Sequence, residues 1–489
     1  MKTLINIAVI ALTIGLTFST WADKRPNVII IYTDDQGYGD CSLLNPESKF
    51  KTPNIDRIGQ EGIIFTDGHC SNTVCTPSRY GLLTGRYSWR TRLKHGVLNS
   101  DDEPLIANDR STIATLLKRN GYTTAMVGKW HLGMTFNEDG SKILDGPLQK
   151  GFDYFWGIPA SMNFGYCAWY DMGFANVAPR MLTYKKPNKI AISDYRIIPP
   201  YEKPGASKNS IKVAEDFQDI IVLERFTEKA VQWIDKVHKD DKPFFLYLPL
   251  TSPHKPVVPQ ERFRGKSEAG AYGDFMIETD FWVGQLMKAL KDRGIYDNTM
   301  IIFSSDNGPE KTWSKRIKLH GHVSNRTLRG GKRSLYDGGH RVPFFISWPK
   351  KIQGGQSFGK PVNQLDIFAT LADLLGDPVK NNEAEDSFSF AQLFEGKIPP
   401  ARKAMIHQSM IGQFAIREGK WKLIIPKKAN QEMELYDLEN DLAEQRNVLD
   451  KHPEIAADLT SKMIKIIDGS KTREECTTNN DVPMNLNWK

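Results

Sequence analysis

Asp34 and Asp35 stand side by side in TDDQGYGD, directly after the apolar, β-branched run NVIIIYT at 27–33. Adjacent carboxylates repel each other unless a cation lies between them, and hard oxygen donors suit Ca²⁺ or Mg²⁺. A second apolar run, TMIIFSSD at 299–306, leads to Asp306 and Asn307 in SSDNGP. With Asp34 and Asp35 these form an all-oxygen donor set. Neither motif contains histidine, which argues against zinc as the primary metal. Alone, each motif would also serve as an ordinary turn with an Asp cap.

Three further stretches carry reactive side chains. SNTVCTPSRYGLLTGRY puts Cys75 ahead of Pro77, Ser78 and Arg79, and the spacing predicts a helix beginning near Ser78 or Arg79. A helix N-terminus stabilises negative charge beside it. In VGKWHLG, Lys129 and His131 are two apart on an extended segment and so are expected on one face, one to bind an anion and one to move a proton. His254 in TSPHKP follows the apolar run PFFLYLPL, and Lys332 sits in the Gly-rich LRGGKRSLYDGGHRVP, where glycines let a lysine approach a ligand closely. All five clusters fall at the carboxyl ends of predicted strands, the edge at which open α/β sheets bind ligands.

The elements that hold them alternate. STIATLLKRNG (111–121) reads as a helix with a Ser cap and Gly121 as its stop, and YTTAMVGKW follows as a strand. FTEKAVQWIDKVHK (226–239) is helical, 243–250 a buried strand, and a helix fills much of 272–292. This pattern predicts an α/β domain around a largely parallel sheet, placed at 23–384. Beyond about residue 385 a hairpin at 414–426, turning near Glu418 and Gly419, and a helix at 453–467 predict a small α+β domain, 385–489. Residues 159–215, rich in Pro, Tyr and Lys, read as a surface insertion that shapes a pocket. Its Tyr166, Trp169 and Tyr170 would stack on sugar rings or pack the insertion itself.

Residues 1–22 read as a signal peptide. Lys2 precedes LINIAVIALTIGLTF, an apolar run too short to span comfortably, and cleavage is expected between Ala22 and Asp23. The mature chain is then periplasmic or secreted, with no membrane attachment. The formal net charge of +7 suits an anionic substrate, and no Lys/Arg block or RNA-binding signature points to nucleic acid. Cys41, Cys70, Cys75, Cys167 and Cys476 make an odd count without a CxxC, so zinc ribbons and thioredoxin-like chemistry are not expected, and the pairing of the other four cysteines stays open.

With these residues the chain resembles the formylglycine-dependent type I sulfatases of the alkaline-phosphatase-like superfamily, from about Pro26 to about Asn447. CTPSRYGLLTGRY matches that family's C-x-P-S-R signature, and DDQGYGD, GKWHLG, SPHKP, GGK and SDNG are further motifs shared with it. The resemblance implies a large mixed, mostly parallel sheet flanked by helices, and a smaller C-terminal domain with an antiparallel sheet. It implies that a maturation enzyme reads the extended Cys-x-Pro-x-Arg segment and oxidises Cys75 to formylglycine (3-oxoalanine), whose hydrate is the nucleophile. One Ca²⁺ per chain would be held by Asp34, Asp35, Asp306, Asn307 and the modified Cys75. Arg79 would stabilise the hydrate, Lys129 and Lys332 would hold sulfate oxygens, and His254 would protonate the leaving oxygen. His131 would deprotonate the second hydroxyl and so expel sulfate.

The implied substrate is a sulfated oligosaccharide or polysaccharide, with an algal galactan such as carrageenan foremost and glycosaminoglycans or mucins next. His95 and Arg326, near motif segments, are candidates for a sugar hydroxyl or a second sulfate. His340, in GGHRVP where many relatives carry an aliphatic residue, would reach substrate or pack beneath the site. The rival readings are a phosphate or phosphonate ester hydrolase on the same fold, a non-catalytic glycan binder, and a hydrolase using the Cys75 thiol itself.

Overall fold

A computed structural model describes residues 25–100, 102–138, 143–162, 217–426, 431–469, 471–484 and 486, with four short strand segments at 166–167, 170–172, 180–181 and 212–213. The signal segment and most of the 159–215 insertion, Trp169 included, lie outside the described residues. No helix among the described residues is long and apolar enough to cross a membrane.

The N-terminal part of the chain runs β1 (Asn27–Asp34), α1 (Pro53–Gln60), β2 (Gly62–Phe65), α2 (Cys75–Thr84), α3 (Ile113–Arg119), β3 (Thr123–Lys129), β4 (Tyr154–Ile158), β5 (Tyr170–Met172), β6 (Arg180–Met181), α4 (Val222–Val237), β7 (Phe244–Pro253), α5 (Gly270–Asp292), β8 (Thr299–Ser305), α6 (Trp313–His320), β9 (Phe344–Ser347), β10 (Gln356–Phe358) and α7 (Asp366–Leu375). The ten strands form one sheet in the order β6-β5-β4-β3-β7-β1-β8-β9-β2-β10. Its centre, β4-β3-β7-β1-β8, is parallel, while β5, β6 and β9 join antiparallel. The central strands are buried along nearly their whole length, as continuous apolar runs covered on both faces should be. Two helix groups, α1-α5-α4 and α2-α3-α7, each pack among themselves. In α4 the buried Phe226, Ala230, Trp233, Ile234 and Val237 recur at helical spacing and supply the inward face.

β11 (Met405–Gln408), β12 (Phe414–Glu418), β13 (Trp421–Ile424) and β14 (Glu434–Asp437) form an antiparallel meander. The β12–β13 turn holds Gly419 at φ +57°, where a glycine costs least. Helix α8 (Pro453–Asp468) covers this sheet with Ala456, Leu459, Met463 and Ile467.

The expected α/β class, the parallel centre and the C-terminal hairpin are all present. Three boundaries differ for local reasons. Helix α2 begins at Cys75, not near Ser78, because a proline in the first turn removes an N–H that has no helical acceptor anyway. Helix α3 is capped by Thr112, whose hydroxyl accepts from Thr115 N–H at 3.1 Å, while Ser111 instead donates to Glu383. Strand β7 runs on to Pro253 and so carries His254 directly off its end.

Candidate active site

Parallel pairing of β1 with β8 brings two carboxylate motifs to one edge of the sheet. Asp34 closes β1, and Asp35 follows in the left-handed region at φ +68°. Such strain in a non-glycine residue persists only where neighbours over-determine it. Here the Asp35 N–H donates to Asp306 Oδ1 at 3.1 Å, and Asn307 Nδ2 donates to Asp35 Oδ1 at 2.7 Å. Asp306 is itself placed by its N–H on the Thr33 carbonyl, at 3.1 Å.

Three oxygens of this cluster, Asp34 Oδ1, Asp35 Oδ2 and Asn307 Oδ1, are buried without a hydrogen-bond partner. Leaving such atoms unsatisfied costs roughly 1–3 kcal/mol each, more where they carry charge. A hard cation among them removes that cost, so the donor set fits Ca²⁺ or Mg²⁺. Asp34, Asp35 and His254 are close enough together to share an ion.

Cations surround the carboxylates. Lys129, the last residue of β3, donates to Asp34 and to Ser161 Oγ, the latter at 2.6 Å. Arg79 Nε and Nη2 both reach Asp306 Oδ2, at 3.1 and 2.7 Å, and Nη1 donates to the Lys129 carbonyl at 3.2 Å. Lys332 Nζ lies 2.6 Å from Asp35 Oδ1, and His254 Nε2 lies 3.7 Å from Asp35 Oδ2. Burial alone would raise Asp34, but Lys129, His254, Arg79 and Lys332 hold it well below the usual carboxylate range. Asp306 goes the other way, pushed up to about 7 by burial and by its neighbour Asp34. Burial brings His254 down to about 4, with Lys332 and Lys129 assisting against Asp35 and Asp34.

Cys75 opens α2 with its side chain buried, and Arg79 follows four residues later on the same helical face. Burial pushes the Cys75 thiol up despite Lys129 and Lys332, so the structure does not favour a thiolate. Lys129 and His131 do not share a face through strand alternation, because β3 ends at Lys129. His131 is instead turned by a left-handed backbone at φ +57°, with Nε2 on the Leu98 carbonyl at 2.9 Å. Burial, with Lys129 and Arg79, holds it well below its ordinary value.

The structure thus brings Asp34, Asp35, Cys75, Arg79, Lys129, His131, His254, Asp306, Asn307 and Lys332 into one locality. His95 and Arg326 are exposed. His340 is fully enclosed in a different cluster. Its ring stacks on His407 at 3.7 Å between centroids, and its Nδ1 meets His69 Nδ1 at 2.9 Å. Ser161 could not be read from the sequence, since it carries no motif and falls within the predicted insertion.

The histidine cluster gives a pH prediction. Burial holds His69, His340 and His407 below their ordinary value, and at His340 and His407 Lys422 adds to the effect. They are neutral in the fold and protonate in the unfolded chain below about pH 6.5. Their contribution to stability is therefore complete above that pH and lost as pH falls, by up to about 1.4 kcal/mol per histidine per pH unit. Thermal denaturation from about pH 8 to about pH 5 should show this acid limb, and His407→Leu, close in volume and unable to titrate, should make it shallower by one histidine's share. An unchanged limb would take His407 out of the account.

Comparison with known proteins agrees with this geometry. Residues 26–377 match the sulfatase family, and residues 330–469 match the family described as N-sulphoglucosamine sulphohydrolase, C-terminal. The chain belongs to the sulfatase family. This sulfatase, a sulfuric ester hydrolase, is 32% identical to N-acetylgalactosamine-6-O-sulfatase of Bacteroides thetaiotaomicron, across 92% of this chain and 94% of that protein. A solved structure described with the metabolism of multiple glycosaminoglycans by Bacteroides thetaiotaomicron superposes with TM-score 0.77 at 32% identity, covering 91% of this chain and 99% of that one. Ps i-CgsB, solved in complex with k-i-k-neocarrahexaose, superposes with TM-score 0.69 at 26% identity, covering 90% and 92%. Among the described cysteines of the sulfatase, Cys41, Cys70, Cys75 and Cys476 are buried free thiols.

Proposed function

We propose that this sulfatase removes sulfate from a galacto-configured sugar of a sulfated glycan, using formylglycine made from Cys75 by a maturation enzyme. The observation that carries the reading is the set of orphaned oxygens on Asp34, Asp35 and Asn307, beside Cys75 and bracketed by Lys129 and Lys332. Galacto-configured sugar is the chemistry common to an N-acetylgalactosamine sulfatase and a carrageenan-type ligand, two of the carbohydrates named for similar proteins, both at higher identity than the glucosamine disulfate complex. Export through residues 1–22 and the division at about residue 385 belong to the same proposal.

Asp34, Asp35, Asp306 and Asn307, with the modified Cys75, would hold one Ca²⁺. That ion supplies acidification of a nearby hydroxyl and offsets the charge of the cluster. Every other role falls to the chain. Position 75 presents the hydroxyl that attacks sulfur, and Arg79, anchored on Asp306, orients it. Lys129 and Lys332 offer N–H donors to sulfate oxygens, where charge builds in the transition state. His254 Nδ1–H donates to the Lys255 carbonyl at 2.6 Å, which leaves Nε2 turned toward Asp35 to deliver a proton to the leaving oxygen. Arrival of an anionic sulfate ester favours the protonated imidazole there. His131 donates from Nε2 to the Leu98 carbonyl, which makes Nδ1 its basic nitrogen.

Sulfate release from a panel of sulfated galactans, glycosaminoglycans and mucin glycans tests the function. Protein co-produced with a maturation enzyme should release sulfate from a galacto-configured member. Activity confined to phosphate esters would instead support the phosphohydrolase reading. Lys332→Ala should lose a few kcal/mol of transition-state stabilisation, roughly 10²–10³-fold in kcat/KM. Wild-type rates in that variant would remove Lys332 from the site.

A further inference from the structure

The loop that carries Lys332 continues into the wall of an open cleft that the roles above do not use. Arg333, Ser334 and Tyr336 line it together with Ile411, Gln413 and Ile424 from the C-terminal sheet and its β11–β12 loop, around about 730 Å³. That volume suits a small organic ligand.

Arg333 is held at two points, the first of them beside the reacting centre. The Arg333 N–H donates at 2.9 Å to the carbonyl of Thr73, two residues ahead of Cys75. The Arg333 guanidinium, 28% exposed, takes Glu310 in a two-pronged pair at 2.6 and 3.1 Å. Arg333 sits at φ +77°, a conformation that only such double anchoring sustains in a non-glycine residue. The opposite rim is tied in as well. Gly96 N–H donates to the Met410 carbonyl at 2.9 Å, and a Cβ on Gly412 would stand 3.6 Å from that of His95. Exposed His95 therefore lies beside Ile411, which is 51% exposed at the mouth.

We propose that this cleft binds the sugar residue linked to the sulfated one, so that the enzyme reads a glycan chain and not an isolated sulfated sugar. The proposal rests on the carbohydrate reading above. The exposed part of the Arg333 guanidinium, with Ser334, Gln413 and Asn447 on the cleft wall, supplies donors and acceptors that neighbouring sugar hydroxyls can bridge. Ile411 covers an apolar ring face, removing it from water. The cleft opens to solvent, so a longer chain can leave it.

The test compares kcat/KM on substrates that share a sulfated sugar and differ in length: N-acetylgalactosamine 6-sulfate against a tetrasaccharide ending in it, and sulfated neocarrabiose against neocarrahexaose. The oligosaccharide-to-short ratio should favour the longer substrate in the wild type. Arg333→Lys, which keeps charge and loses the fork, and Ile411→Ala should each lower that ratio on the order of 10-fold, the effect of one lost hydrogen bond or apolar contact. The ratio does not depend on how much of a variant folds. A ratio unchanged in both variants would overturn the proposal, as would equal losses on long and short substrates. Failure on every carbohydrate with p-nitrophenyl sulfate still hydrolysed would overturn the carbohydrate reading and this cleft assignment together. Failure on p-nitrophenyl sulfate as well, with formylglycine confirmed, would locate the fault in the sulfatase mechanism.

Discussion

Cys75→Ala is expected to abolish sulfate release, lowering turnover by about 10⁶-fold, the scale of nucleophile loss in other hydrolases. The effect should be chemical and not structural. Cys75 opens a helix whose first turn is organised by the chain around it, and its side chain makes no hydrogen bond that alanine would break. Thermal denaturation should therefore stay near wild type while activity disappears. Cys75→Ser distinguishes the hydrate from a plain hydroxyl. A serine oxygen can accept sulfate but has no second hydroxyl through which to expel it, so one equivalent of alcohol should be released and then turnover should stop. Continued turnover by the serine variant would rule out the hydrate mechanism. Mass spectrometry of the tryptic peptide Ile58–Arg79 provides the matching chemical observation, since the proposed maturation would replace the sulfur of Cys75 with an aldehyde oxygen. An unmodified thiol in active enzyme would revive the thiol reading, which the raised Cys75 does not favour.

His254→Ala is expected to cost about 10²–10⁴-fold in kcat on glycan sulfates and much less on activated aryl sulfates. The reason is the leaving group. A sugar alkoxide is a strong base and departs only if protonated, whereas a nitrophenolate departs without help. His254 is placed for this by β7, which carries it off the sheet edge, and by the Lys255 carbonyl, which fixes the proton on Nδ1. Its Nε2 faces the same carboxylate that Lys332 holds. Rates on a series of aryl sulfates of rising leaving-group pKa check the assignment: the variant should show a steeper dependence than wild type. Parallel slopes would assign His254 a binding role and leave the general acid to another residue.

Much of the site was legible in the sequence because its chemistry is written in short motifs. The carboxylate pairs stand directly after apolar runs, and parallel sheets gather strand ends at one edge. Asp34, Asp35, Asp306 and Asn307 could thus be grouped before any coordinates were known. The fold class was legible for the same reason, since period and run length differ between buried strands such as 27–33 and amphipathic helices such as α4. What could not be read depended on side-chain and backbone detail without a local signal. For His340 the sequence leaves contact with substrate and packing beneath the site both open, and only strand β11, which brings His407 against it, shows how it is enclosed. His131 was assigned to the right neighbourhood through strand alternation, but a left-handed turn is what aims it. The Ser161 contact to Lys129 and the Arg333–Glu310 pair form only when loops of the large sheet meet, and the cleft beside Lys332 forms only when the C-terminal sheet docks.

The division has a physical basis. Sequence alone determined which polar motifs follow which strands, and offered a hard-oxygen donor set among them, because those follow from residue type and local periodicity. Tertiary structure decided which oxygens are left unpaired, which imidazoles face the reaction and which are walled off, because burial and hydrogen bonding are set by long-range packing.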